Sequence, residues 1–207
     1  MTAKAKMTIM DKIKKTKEEK KEDILVEINT KLVSPRESIM FEKIKSAFIE
    51  NTNVDYYFQF GDDLRHILDN LIHYELNVLH GWNDISLTKF GWLEFQEFEI
   101  VEEIDLGTSK KYKHLTNNIR IGVSPNGLYQ YGYSLGTEFY GGRSSGICVF
   151  GTPYNSKDEA LISVLELFKN LHSDYVDCET SRNVLVKVEK HLEILKKVDQ
   201  NNQLLLF

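Results

Sequence analysis

Three histidines, His66, His73 and His80, recur at seven-residue spacing, and Asp62 and Asp69 stand four residues before the first two. On one helix this collects imidazoles and carboxylates along a single face, a combination suited to metal ligation or acid–base chemistry. Residues seven apart are separated by ~10.5 Å along a helix axis, too far for successive histidines to share one ion. His66, Asp69 and His73 would be the ligands of any such site, completed from a second helix. No matching His/Glu cluster is evident, so no metal is expected, and a metal-dependent nuclease on this helix stands as the enzymatic alternative. Gly141-Gly142-Arg143-Ser144-Ser145-Gly146 has backbone N–H groups able to wrap an anion, but reads as a mobile hairpin loop. The two cysteines, Cys148 and Cys178, match no ligand spacing and suit a reducing cytoplasm. No Gly-x-Gly-x-x-Gly follows a strand, and neither a phosphate-loop Gly-Lys-Ser/Thr nor a His-Glu-x-x-His occurs. No catalytic residue and no cofactor are expected.

The last residues carry a different signal. Asp199-Gln200-Asn201-Asn202 is a polar spacer, and Gln203-Leu204-Leu205-Leu206-Phe207 then offers apolar surface where chains usually fray. This pentapeptide resembles the bacterial sliding-clamp-binding motif, which reads Gln-Leu, a variable residue often Ser or Asp, then Leu-Phe. The resemblance implies that Gln203 makes the polar anchor and Leu204 supports it, while Leu206 and Phe207 fill an apolar cleft of the clamp. Leu205 departs from the small or acidic middle residue, which bears on affinity. The resemblance covers five of 207 residues. It implies a non-enzymatic, cytoplasmic accessory protein of a bacterium, phage or plasmid, recruited to the clamp in replication, repair or defence.

These residues must be positioned by folded elements. Residues 1–23 hold eight lysines against five acids and read as a charged arm, or as the exposed start of a helix continuing through Ile24 and Ile28. Ser34-Pro35-Arg36-Glu37 is a capping box opening a helix that runs to about Glu50. Val54–Phe60 is short and aromatic and predicts a strand. Leu64, Ile67, Leu68, Leu71, Ile72, Leu76 and Leu79 give the 3.6-residue period of a second helix, with Gly61 before it and Gly81 as its stop. Leu93–Ile104 leans to strand, and Thr108–Asn118 reads as a loop.

The segment from 119 to 175 predicts a βββα unit. Its strands are expected at Ile119–Val123, Leu128–Leu135 and Ile147–Phe150, with Ser124-Pro125-Asn126-Gly127 as a turn and a loop over Gly136–Gly146. Ser156-Lys157-Asp158-Glu159 is a second capping box, opening a helix through Leu171. This layout resembles the second half of a double-stranded-RNA-binding domain, which implies lysines at the helix start reaching phosphates. Here Asp158 and Glu159 stand where cations belong, and Lys157 alone matches. It also resembles three-stranded-sheet DNA readers. That resemblance implies an alternative function, a nucleic-acid-binding module using Tyr129, Tyr131, Tyr133 and Arg143, with Phe139, Tyr140 and Lys157 nearby. Tyr is common in strands, so these rings equally serve to cover the sheet.

A helix over 182–198 with one apolar stripe, then the tail over 199–207, completes the chain. The predicted class is α+β: a charged arm (1–23), a mainly helical region (24–118), the βββα unit (119–175), the C-terminal helix and a flexible tail. With 42% hydrophobic and 28% charged residues the composition excludes collagen-like, mucin-like and wholly disordered chains. No apolar run approaches membrane-span length, and the Lys-rich start has no apolar stretch, so neither a span nor a secretory leader is expected. The net charge of −5 argues against coating nucleic acid over the whole surface.

Overall fold

Thr16 sets the start of the first helix: its hydroxyl accepts the Glu19 N–H at 3.3 Å, and the Glu19 carboxylate accepts the Thr16 N–H at 2.7 Å. The computed structural model describes residues 15–35, 37–109, 111–137 and 141–204, with side chains as far as residue 197. These fall into two units, Met1–Tyr74 with Ile85–Glu94, and Glu75–Asp84 with Phe95–Phe207. Among the described residues, no helix is long and apolar enough to cross a membrane.

In the first unit, helix α1 (Lys17–Thr30) buries Ile24 and Ile28, one turn apart. The expected charged arm is therefore helical from Lys17 onward, while residues 1–14 lie outside the described ones. At Ser34 half of the expected capping box forms, since the Glu37 carboxylate accepts the Ser34 N–H at 2.9 Å. The Glu37 N–H instead donates to the Ser34 carbonyl, closing a turn. Helix α2 (Ser38–Glu50) begins after that turn and ends at Asn51, which takes a left-handed φ of 56°. The aromatic run expected as a strand is helix α3 (Val54–Tyr57) followed by a 3-10 turn (Phe58–Phe60). Tyr57 and Phe58 both pack against the Phe48 ring of α2, at 6.2 and 5.7 Å between centroids. A strand would send neighbouring side chains to opposite faces and forgo one of those two packings, so tertiary contact overrides the β-propensity of the aromatics.

Helix α4 (Leu64–His80) opens where the Asp63 carboxylate accepts the His66 N–H at 2.9 Å. Its buried Leu64, Ile67, Leu68 and Leu71 join Ile24, Ile44, Phe48 and Phe60 in one core. Burying each such side chain is worth about 1.5–3 kcal/mol. Gly81 ends the helix at φ 97°.

The second unit is built on a four-stranded antiparallel meander in the order β1 (Glu99–Thr108), β2 (Thr116–Val123), β3 (Tyr129–Thr137) and β4 (Gly141–Ser145). Strand β1 starts at Glu99, later than the expected Leu93. The Ser124–Gly127 turn forms as expected, closed by the Gly127 N–H on the Ser124 carbonyl at 2.8 Å. The expected third strand at 147–150 is displaced: the glycine-rich segment read as a loop supplies β4, in register with β3 from Thr137↔Gly141 to Tyr133↔Ser145. Ile147 lies instead across the sheet, so close that a Cβ on Gly132 would stand 2.9 Å from it. A Cβ on Gly136 would meet Leu115 at 2.6 Å. Glycine in these strands thus marks where other chain crosses the sheet, not a flexible loop.

Helix α5 (Lys157–Ser173) starts at Ser156, whose hydroxyl accepts the Glu159 N–H at 3.1 Å. Replacing Ser156 with alanine is expected to cost about 1 kcal/mol. An unchanged urea midpoint for Ser156→Ala counts against this cap. Helix α6 (Glu179–Leu204) packs beside α5, and both helices cover the sheet face that carries Ile104, Ile119, Ile121 and Leu135. The expected spacer 199–202 is helical. With neither Pro nor Gly in Asp199-Gln200-Asn201-Asn202, nothing interrupts the hydrogen-bond ladder. The class is α+β, as the sequence predicts, with four strands in place of three and two covering helices in place of one.

Candidate functional site

Helix α6 carries the clamp-like peptide. At 26 residues it is ~39 Å long. Val184, Val188 and Leu192 are buried against the sheet and α5, and Leu195 is the last residue of the stripe to touch that core among the described side chains. Lys196 and Lys197, which follow, are exposed. Gln203 and Leu204 occupy the last turn of the helix backbone, whereas Leu205, Leu206 and Phe207 lie outside the described residues.

The histidine helix does not gather its imidazoles. His66 is half-buried, its Nδ1 2.7 Å from an Asp63 oxygen and its ring 4.2 Å from the Trp92 ring. His73 is buried, and burial pushes its pKa down. His80 lies in the second unit, fully buried between Trp82 and Phe98, and burial pushes it down as well. Asp69 is 3.6 Å from Arg65, and Asp62 pairs with Lys20. His66 thus bonds Asp63 just before its helix, and Asp69 pairs with Arg65 on it. Among the described residues, no three His, Cys, Asp or Glu side chains stand where they could hold one metal ion.

The tyrosine face is a packed face. Register pairs Tyr133 with Ile119, Tyr131 with Ile121 and Tyr129 with Val123, so all three rings point to the side that α5 covers. Tyr133 is only 7% exposed and meets Phe168 edge-on at 6.1 Å. Tyr131 packs beside Tyr154, whose hydroxyl is 2.7 Å from that of Ser163. Burial first, and then the neighbouring Tyr154, pushes the Tyr131 hydroxyl pKa up. Lys157 bonds the Glu102 carboxylate at 2.6 Å, which raises its pKa. Alternation thus turns these rings toward the side that α5 covers, with Tyr133 buried and Tyr129 and Tyr131 half-buried. Of the set expected on nucleic acid Arg143 alone is exposed, on edge strand β4, and Phe139 and Tyr140 lie outside the described residues. Cys148 is half-buried and Cys178 buried, both as free thiols.

A buried polar network, missed in the sequence, crosses the second core. Asn117 of β2 and the Gly136 backbone of β3 bond reciprocally: the amide nitrogen donates to the Gly136 carbonyl at 3.1 Å, and Oδ1 accepts the Gly136 N–H at 2.9 Å. That pair fixes the amide's orientation. Oδ1 can only accept, so His172 Nε2, 3.3 Å away, carries the proton, and Nδ1 accepts the Ser181 hydroxyl at 3.1 Å. The ring stacks on Phe168 at 22°. Desolvation lowers the His172 pKa to about 4. Ser, His and Asn in this order could imitate a nucleophile, base and orienter. All three are at zero exposure, so no substrate reaches them, and the network joins β2, β3, α5 and α6 as a structural tie. Its only sequence signal is a histidine in the last turn of a helix. The partners are nine and 55 residues away.

A groove of about 390 Å³ opens at the β4 edge, lined by His114, Thr116, Ser134, Arg143 and Ser144 among others. Fold and site together define a two-unit α+β protein with a meander sheet backed by two helices. The chain matches no protein-family model, no curated protein and no solved structure.

Proposed function

We propose that this protein is a non-enzymatic accessory factor recruited to the bacterial DNA sliding clamp through Gln203–Phe207. It acts in the cytoplasm on replication, repair or defence by recruitment or competition. The observation that carries the reading is the pentapeptide itself, following a helix whose last core-packed residue among the described side chains is Leu195. Seven residues stand between Leu195 and the anchor Gln203, which gives a clamp room to engage the peptide without disturbing the core.

Docking an extended peptide requires Gln203 and Leu204 to leave the final helical turn. That turn has carbonyls without intrahelical partners, so unwinding it costs little. Ordering each peptide residue costs about 1–2 kcal/mol. Burying Leu204, Leu206 and Phe207 contributes about 1.5–3 kcal/mol each. Ordering thus offsets most of the apolar gain, so a single contact is weak and draws its strength from the Gln203 anchor and from several sites of a ring engaged together.

The test is surface plasmon resonance with an immobilised sliding clamp. Deleting residues 203–207 is expected to abolish binding, and Phe207→Ala to weaken it at least tenfold, with tryptophan fluorescence unchanged. Equal binding by the full chain and the deletion overturns the proposal.

A further inference from the structure

The groove at the β4 edge has a chemistry of its own. Arg143 and Ser144 project from β4, Ser134 from β3, Thr116 from β2 and His114 from the loop before it. Those residues bring hydroxyls, an imidazole and a guanidinium to this edge of the sheet, with Arg143, paired with Leu135, leaving the face opposite Ser134 and Ser144. No carboxylate is among the described residues that line it. Arg143 makes no ion pair with any described residue, and β4 is the last strand of the sheet, so its outer backbone edge is unpaired by any other described strand.

The loop between β1 and β2 extends this surface. Lys111, Lys113 and His114 are all exposed, and Lys111 sits over the Tyr112 ring at 5.2 Å. The loop is held in place. The Tyr112 N–H donates to the Ser109 hydroxyl at 3.1 Å. The Leu115 N–H donates to the Tyr112 carbonyl, and the Ser109 N–H to the Leu115 carbonyl. Leu115 is buried and would touch a Cβ on Gly142 at 3.1 Å, which pins the loop to β4. Arg143 and His114 thus line the groove, and Lys111 and Lys113 stand on the loop that leads into it, a local concentration of cations in a chain whose net charge is −5.

We infer that this groove and the Lys111–His114 loop bind the sugar–phosphate backbone of a DNA strand without regard to sequence. Arginine forks and hydroxyl donors are the groups that hold phosphate oxygens. Lysines on a fixed loop supply the sequence-independent attraction. The site differs from the tyrosine face, which is packed under α5, and it does not depend on the clamp contact.

The test is fluorescence anisotropy of a labelled 20-nucleotide DNA, single- and double-stranded, with the full-length protein and no clamp. At 50 mM salt the triple variant Lys111→Glu, Lys113→Glu, Arg143→Glu is expected to bind at least ~30-fold more weakly. The log–log salt slope on duplex is expected to flatten by nearly three, at about 0.9 for each of the phosphate contacts that the three cations make. Arg143→Ala alone is expected to weaken binding about fivefold. The control triple Lys190→Glu, Lys196→Glu, Lys197→Glu, with the same change of net charge, is expected to stay within threefold of wild type. Deleting 203–207 leaves DNA binding intact if the inference holds, whatever the clamp result. No binding by the wild type, a groove variant equal to the control, or retention only on phosphatidylglycerol vesicles overturns it.

Discussion

Lowering the pH from 7.5 to 4.5 is expected to remove about 2–3 kcal/mol from the stability of the second unit through His172 alone. The folded pKa is about 4 against an ordinary 6.5, because burial disfavours the charged ring. Below 6.5 the unfolded chain takes up a proton that the folded chain resists. The contribution is therefore complete above 6.5, declines as the pH falls, and is gone near 4. Each pKa unit is worth about 1.4 kcal/mol. The chain's two tryptophans allow a unit-by-unit reading, since Trp82 belongs to the second unit and Trp92 to the first. In a Trp92→Phe background, urea midpoints followed by Trp82 fluorescence report the second unit. His73 and His80 are also pushed down by burial, so the difference between wild type and His172→Phe is the decisive quantity. The variant keeps a ring against Phe168 and gives up the bonds to Ser181 and Asn117. It is expected to lose about 1 kcal/mol at pH 7.5, and to lose much less than wild type on acidification. Parallel curves from pH 7.5 to 4.5 exclude the mechanism.

Asn70→Ala is expected to destabilise the first unit by about 3 kcal/mol. Asn70 is 2% exposed and its side chain joins three backbone segments there. Its amide nitrogen donates to the Phe60 carbonyl at 2.6 Å and the Gly91 carbonyl at 2.7 Å, and its Oδ1 accepts the Leu93 N–H at 2.8 Å. Alanine leaves three backbone groups without that partner, and each buried group so stranded costs about 1–3 kcal/mol. The effect falls on the Leu87–Leu93 bridge, which holds Trp92 against His66. In a Trp82→Phe background the Trp92 signal is expected to shift toward that of a solvated indole before global unfolding. A loss under 1 kcal/mol, with the Trp92 spectrum unchanged, shows that water replaces the amide at no cost.

The capping signals carried furthest from the sequence. Ser156 caps α5 with the residue spacing its motif requires, and Asn51 and Gly81 end α2 and α4 in left-handed geometry. The apolar period of α4 and the alternation of β2 likewise survive folding, because both depend on residues within a turn or a strand of one another. The Val54–Phe60 and Gly141–Ser145 segments went the other way. In the first, Phe48 on a neighbouring helix chose helix for a run of aromatics. In the second, pairing with β3 and the close approach of Leu115 made a strand from glycines that locally favour a loop. Neither partner is visible within a short window of sequence.

The candidate sites divide by the same rule. The clamp-like pentapeptide is a linear motif, complete in five consecutive residues, so the sequence alone determined it. The fate of Tyr131 and Tyr133 needed the strand register and the position of α5, which buried Tyr133 and half-buried Tyr131. The His172 tie and the groove of His114, Thr116, Ser134 and Arg143 join residues from separate strands and helices. Only the tertiary structure decided them, because hydrogen bonds and charge act across ångströms of space while chain connectivity orders residues along a line.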